Sequence, residues 1–164
     1  INRGFDRVLY PSSDYGFEVG KAVTLKEGTD ITIIACGSCA FQALQAANFL
    51  ENADGLKVRV INMHTIKPID REAILKAVSD TRRIITVEDH NVIGGLGSAV
   101  AEVVIESGKG CAFKQLGIPD KFAPIGLHED IMSILGIDSN GIIDAVREVM
   151  GKDFELDDDW DDEV

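Results

Sequence analysis

Three consecutive polar residues, Glu88, Asp89 and His90, are the best local candidates for acid–base chemistry. They lie at the end of the β-branched run at residues 84–88 (IITVE), which predicts a buried strand. The carboxyl ends of parallel strands are where α/β sheets place functional groups. An imidazole there can move a proton near neutral pH. A histidine beside two carboxylates also serves purely structural roles, so both interpretations stay open.

A glycine-rich turn at residues 94–98 (GGLGS) follows and opens a predicted helix. Free backbone N–H groups at a helix start can bind an anion. The dinucleotide-binding fingerprint fails, however, because Val100 stands where its third glycine belongs. A Gly-Lys-Ser/Thr phosphate loop is also absent from the sequence. The alternative is that the glycines permit a tight turn and close packing of the helix on the sheet.

Two cysteines, Cys36 and Cys39, form a C-x-x-C pair at a predicted strand–helix junction. A helix N-terminus lowers thiol pKa values, and this placement resembles a thioredoxin-type redox motif. The alternating strands and helices that follow do not suit a thioredoxin fold, which favours small residues filling a tight turn. His64 and His128 lack ligand spacing with any cysteine, which argues against a zinc site.

Composition limits the function classes for this chain of 164 residues, a length that suits one domain. Sixteen Lys and Arg against 28 Asp and Glu give a net charge of −12, which argues against nucleic acid and anionic membrane surfaces as partners. No apolar run approaches the roughly 18 residues of a membrane span. Three cysteines are too few for a disulfide framework, which predicts a cytoplasmic location. The missing initial Met suggests a fragment or a processed product.

Alternating strand and helix patterns determine the predicted fold. Apolar and β-branched runs predict strands at residues 22–25, 31–35, 57–62, 84–88 and 113–116. Helical spacing predicts helices at residues 40–52, 70–78, 97–107, 129–135 and 141–150. Repeated strand–helix–strand units predict an α/β protein, a three-layer α/β/α sandwich with a mostly parallel, mixed sheet.

Several motifs in one order carry a family resemblance. They are, by residue number, FEVGKA (17–22), RVI (59–61), TIKPIDR (65–71), TVEDH (86–90), GGLG (94–97) and LGID (135–138). Together they resemble the C-terminal domain of transketolase, closest to the animal-type and the split bacterial or archaeal forms. The resemblance divides the chain into three parts. Residues 1–16 are a remnant of the preceding pyrimidine-binding domain and linker, and residues 17–152 are the domain itself. Residues 153–164 are a tail with eight acids that is predicted to be disordered.

The resemblance implies part of a three-domain enzyme that uses thiamine diphosphate and Mg²⁺ or Ca²⁺ to transfer a two-carbon ketol unit between sugar phosphates. The family's cofactor motif, Gly-Asp-Gly, lies in its first domain and is absent here, so this chain is not expected to bind the cofactor or to act alone. Its implied partners are the N-terminal transketolase portion or subunit, with a homodimer of the complete enzyme. Arg3 matches a family arginine that grips the substrate phosphate, and Arg is suited to that task by its bidentate hydrogen bonding.

Three alternatives remain beside transketolase. Deoxyxylulose-phosphate synthase and the β subunits of 2-oxo-acid dehydrogenases have C-terminal domains that share the glycine-rich turn. A non-catalytic regulatory or binding domain is the second possibility, and a redox role of Cys36 and Cys39 is the third.

Overall fold

Ten secondary-structure elements form the part of the chain that the computed structural model describes, residues 7–12 and 14–151. In chain order they are β1 (Val23–Lys26), β2 (Ile31–Ala35), α1 (Cys39–Asp54), β3 (Val58–Asn62), α2 (Arg71–Thr81), β4 (Arg83–Asn91), α3 (Leu96–Glu106), β5 (Ala112–Ile118), α4 (His128–Ile134) and α5 (Ser139–Met150). Arg3 and the acidic tail lie outside the described residues.

The five strands form one mixed sheet in the order β1-β3-β2-β4-β5. The pairs β3–β2, β2–β4 and β4–β5 are parallel, and β1 runs antiparallel to β3 at the edge. Every residue of β2 and β3 is buried, as expected for central strands that helices cover on both faces.

Helices cover both faces of this sheet. One core cluster joins the sheet to α1 and α5 and includes Leu50, Ile142 and Val146. The other joins it to α2 and α3 and includes Ile74 and Val100. The three-layer α/β/α sandwich predicted from the sequence is therefore confirmed.

The strand order creates a switch point between β2 and β4. From the end of β2 the chain turns into α1 on one face, and from the end of β4 it turns into α3 on the other face. The two connections diverge, which leaves a crevice beyond the carboxyl ends of these strands. Crevices at such points are the usual ligand sites of open α/β sheets.

The segment before β1 packs at the same edge of the sheet. The amide nitrogen of Asn62, at the end of β3, donates to the hydroxyl of Tyr10 at 2.6 Å. The ring of Tyr10 stacks on Tyr15 at 3.7 Å between centroids, and Phe17 lies against His64 at 4.5 Å. These contacts anchor residues upstream of position 17 on the domain, whose boundary at that position stays a prediction.

Across residues 7–12 and 14–151, no helix combines the length and the apolar character that crossing a membrane requires.

Candidate functional site

A cleft of about 530 Å³ occupies the switch point. The turn after β2 lines it with residues 36–38, and the end of β4 lines it with Glu88, Asp89 and His90. Gly94, Gly95 and Ile66 complete its wall. The structure therefore places the three predicted site residues together in one cleft, whose volume suits a small molecule.

Glu88 holds the start of α3 onto the end of β4. Its carboxylate is 1% exposed and accepts hydrogen bonds from the backbone N–H of Leu96 at 2.7 Å and of Gly97 at 2.8 Å. Each N–H belongs to the first turn of a helix, where it has no partner within the helix. The negative charge is also stabilised by the positive end of the helix dipole.

The glycines of the turn make this approach possible. A Cβ atom at Gly95 would lie 1.9 Å from a carboxylate oxygen of Glu88, and one at Gly97 would lie 2.8 Å from the hydroxyl of Thr86. Because Glu88 already occupies the N–H groups of Leu96 and Gly97, they are not available to an external anion. The geometry supports the packing interpretation of this turn over the anion-binding one.

Two histidines flank the carboxylates of the cleft. Nδ1 of His90 lies 3.9 Å from a carboxylate oxygen of Glu88, and 2.9 Å from the carbonyl oxygen of Asn91. Nδ1 of His128, at the start of α4, lies 3.9 Å from a carboxylate oxygen of Asp89. Sequence reasoning did not connect His128 to the cleft, because no local spacing links positions so far apart in the chain.

The charge of the cleft favours cations and neutral polar groups over phosphate. None of the described residues that line it is a lysine or an arginine, whereas Glu88 and Asp89 are both acidic. A phosphate would meet carboxylate repulsion without a compensating cation. The imidazole of His90 is exposed and lines the same cleft.

Burial keeps the two cysteines of the C-x-x-C pair protonated. It raises the pKa of Cys36 to about 12, with Glu88 and Asp89 adding to the rise. Burial likewise raises the pKa of Cys39. Cys39 belongs to the core on the α1 side, whereas Cys36 packs against the core on the α2 side. The helix start does not activate these thiols, which favours a packing role over the redox alternative.

The residues that line this cleft do not suit the diphosphate of the cofactor that the family resemblance implies. The helix start that could cradle a diphosphate is occupied by Glu88, and Asp89 adds a second negative charge to the cleft. Among residues 7–12 and 14–151, no group of three or more His, Cys, Asp or Glu side chains is arranged to hold a metal ion. No step of a thiamine reaction is therefore assigned to this cleft.

Replacing Glu88 tests its role in fixing α3. Glu88→Gln keeps the side-chain size but turns one acceptor oxygen into a donor facing a backbone N–H. We expect the free energy of unfolding, measured by urea denaturation, to fall by about 1–3 kcal/mol. Asp89→Asn, at the adjacent and more exposed position, is the matched control and should change it by less than about 0.5 kcal/mol. Equal losses in the two variants would contradict the role of Glu88.

The raised pKa of Cys36 predicts low thiol reactivity. At pH 7, far below this pKa, almost none of the thiol in the folded protein is ionised, and only the thiolate is nucleophilic. We expect its alkylation by iodoacetamide at pH 7, followed by mass spectrometry, to be at least about tenfold slower than in the urea-unfolded chain, where the pKa is about 8.5. Equal rates in the folded and unfolded chain would restore the redox interpretation.

Comparisons with known proteins identify the family. The family model described as "Transketolase, C-terminal domain" matches residues 20–142. One of the subunits of the apulose-4-phosphate transketolase of Phocaeicola vulgatus is 42% identical over 144 residues, covering 88% of this chain and 45% of that protein. A 1-deoxy-D-xylulose-5-phosphate synthase of Halothermothrix orenii is 37% identical, covering 91% of this chain and 25% of that protein.

A solved structure agrees with these matches in both fold and sequence. It is described as a split gene transketolase, an inactive beta4 tetramer, and it superimposes with a TM-score of 0.84 at 37% identity. The match covers 90% of this chain and 48% of that one. This chain thus spans less than half the length of each of these three relatives. The family match, the identities and the shared fold together show that the chain belongs to the transketolase C-terminal domain family.

Proposed function

We propose that this chain is the C-terminal part of a thiamine diphosphate-dependent transketolase and that it supports the reaction without performing it. The complete enzyme transfers a two-carbon ketol unit between sugar phosphates, with Mg²⁺ or Ca²⁺ beside the cofactor. The observation that carries the supporting role is the engagement of Glu88 with the start of α3. It uses the N–H groups with which this cleft could otherwise bind a diphosphate.

A separate thiamine-binding portion is the partner that this proposal requires. One relative is named as a single subunit of its transketolase, and the solved relative is described as the product of a split gene. These names support a counterpart that carries the cofactor, as a separate subunit or as the rest of one chain. The description of a related assembly as inactive supports the expectation that this chain alone is inactive.

The complete enzyme is proposed to be a homodimer of such pairs, located in the cytoplasm.

Arg3 is proposed to bind the phosphate of the sugar substrate in the complete enzyme. One observation supports this role, although Arg3 itself lies outside the described residues. Tyr10, seven positions downstream, is anchored at the end of β3 by Asn62 and by its stack on Tyr15, so the chain enters the domain at the carboxyl edge of the sheet, where the cleft lies.

Deoxyxylulose-phosphate synthesis is the second candidate function, because a relative of that name matches 91% of this chain. The product distinguishes the two candidates. A complete enzyme that forms 1-deoxy-D-xylulose 5-phosphate and no ketol-transfer product would establish the second.

Reconstitution tests the first candidate. The chain is combined with its thiamine-binding portion, thiamine diphosphate and Mg²⁺, and ketol transfer from xylulose 5-phosphate to ribose 5-phosphate is measured. We expect activity from the combination and none from this chain alone, because the cleft of this chain does not suit the diphosphate of the cofactor. The thiamine-binding portion without this chain is the control. Full activity in that control would contradict a supporting role for this domain.

Substitution of Arg3 tests phosphate binding. In the reconstituted enzyme, Arg3→Ala removes a charge-assisted hydrogen bond to the phosphate, so we expect KM for ribose 5-phosphate to rise about ten- to hundredfold. KM for unphosphorylated ribose should stay the same, since that sugar has no phosphate to lose contact with. Arg7→Ala, an exposed arginine four positions away, is the matched control and should leave both values unchanged. A rise shared by both sugars or by both variants would count against Arg3 as the phosphate ligand.

A further inference from the structure

Asp89 is an exposed carboxylate that has no hydrogen-bond partner among residues 7–12 and 14–151. Nδ1 of His128 lies 3.9 Å from one of its oxygens, which is too far for a hydrogen bond. Glu88 differs, because two N–H groups of α3 compensate its charge. Burial is the main cause of the raised pKa of Cys36, and the charges of Glu88 and Asp89 add to it. The charge of Asp89 therefore acts across the cleft and is available to a cation at its mouth.

The segment before β1 is anchored beside this cleft. The loop after β3 serves both, since its His64 lies against the ring of Phe17 at 4.5 Å and its Ile66 lines the cleft. Asn62 holds the hydroxyl of Tyr10 at the end of β3 at 2.6 Å. In the sheet, β2 alone separates β3 from β4. Neighbouring strands lie about 4.8 Å apart, so the end of β4 is about 10 Å from the end of β3.

The chain upstream of this anchor is long enough to reach Asp89. Arg3, which lies outside the described residues, precedes Tyr10 by seven positions. An extended chain of that length spans at most about 25 Å, more than twice the distance between the ends of β3 and β4. The guanidinium of Arg3 can therefore come into contact with the carboxylate of Asp89.

Arg3 is also the cation of this segment that is left to pair with the cleft. Residues 1–20 contain two basic residues, Arg3 and Arg7. Arg7 is exposed and is not among the described residues that line the cleft. Lys21, the next cation along the chain, forms an ion pair with Glu72 of α2 at 2.9 Å. The cleft lacks a lysine or arginine among its described lining residues, and Arg3 supplies one.

We propose that Asp89 forms an ion pair with Arg3 at the mouth of the cleft and positions its guanidinium for the substrate phosphate. This inference rests on the proposed function, which assigns the phosphate to Arg3, and names the residue that holds it. A carboxylate accepts from two of the five N–H donors of a guanidinium, which leaves the others for a phosphate. A side chain that is held before the substrate arrives loses less entropy on binding. The pairing also compensates the charge with which Asp89 would otherwise repel the phosphate.

Zero-length cross-linking tests the ion pair in this chain alone and does not depend on activity. Arg3→Lys keeps the positive charge and supplies an amine, which a carbodiimide joins to a carboxylate in contact with it. We expect an amide between position 3 and Asp89, identified by mass spectrometry of the proteolytic peptides. High salt should reduce its yield, because salt screens an exposed ion pair. Arg7→Lys is the matched control and should give at least about tenfold less amide to Asp89.

Kinetics of the reconstituted enzyme test the positioning role. Asp89→Ala should raise KM for ribose 5-phosphate at least about threefold and leave kcat and the KM for unphosphorylated ribose unchanged, because only the phosphate contact is affected. Asp89→Glu keeps the carboxylate and should restore most of the affinity. Added to Arg3→Ala, Asp89→Ala should cause no further rise, because the two residues act through one contact. Asp130→Ala, at an exposed acid of α4, is the control and should change none of these values.

The outcomes separate this inference from the proposed function. An amide at Asp89, in a chain whose reconstituted enzyme transfers no ketol unit, supports the ion pair and overturns the proposed function. Ketol transfer that depends on Arg3, without an amide to Asp89, overturns the ion pair and leaves the proposed function standing. An amide from position 3 to Asp6 or to the acids of residues 153–164 in place of Asp89 also overturns the pair. An unchanged or lower KM in Asp89→Ala contradicts the positioning role, because the carboxylate then does no more than repel the phosphate.

Discussion

The two hydrogen bonds from the first turn of α3 to the carboxylate of Glu88 are the interaction on which the arrangement of the cleft depends. A carboxylate that is 1% exposed is costly to bury unless its charge is compensated. Two N–H donors and the helix dipole supply that compensation, and they fix where α3 begins. Residues without a Cβ are needed at positions 95 and 97, because any larger residue would displace Glu88 or Thr86. The buried charge thereby accounts for the glycine at position 95 and for the place where α3 begins, whereas close packing on Thr86 accounts for the glycine at position 97.

Local pattern predicted most of the fold, and the exceptions have physical causes. Each of residues 31–35 is apolar or β-branched, so β2 was predicted with the bounds that the structure has. β4 continues to Asn91, three residues beyond its predicted end, because Asn91 pairs with Ile118 of β5 and a polar sequence does not reveal that pairing. The contact between Asp89 and His128 depends on how α4 packs, which no sequence spacing encodes. Glu88 was predicted at the site, but its role as the partner of a helix start emerges only once β4 and α3 are in place.

Relatives named for different reactions match this domain, and the packing of its cleft is compatible with that. A transketolase subunit and a deoxyxylulose-phosphate synthase match the chain at 42% and 37% identity. If the domain contacted the reacting atoms, different reactions would require different side chains in its cleft. A buried carboxylate that serves packing can be retained beside different active sites. The engagement of Glu88 with α3 is consistent with such reuse, since it holds the helix in place whichever reaction the relative is named for.

The charge of the cleft limits what this domain can bind by itself. Asp89 is exposed there, 3.9 Å from Nδ1 of His128, and no lysine or arginine is among the described residues that line the cleft. A carboxylate repels an anionic group, and the described lining offers no lysine or arginine to offset the repulsion. Cations standing outside the cleft would offset it, so in the proposed complete enzyme an anionic substrate would approach this edge only where such cations lie beside it. Salt screens exposed charges, so raising the salt concentration would weaken the repulsion.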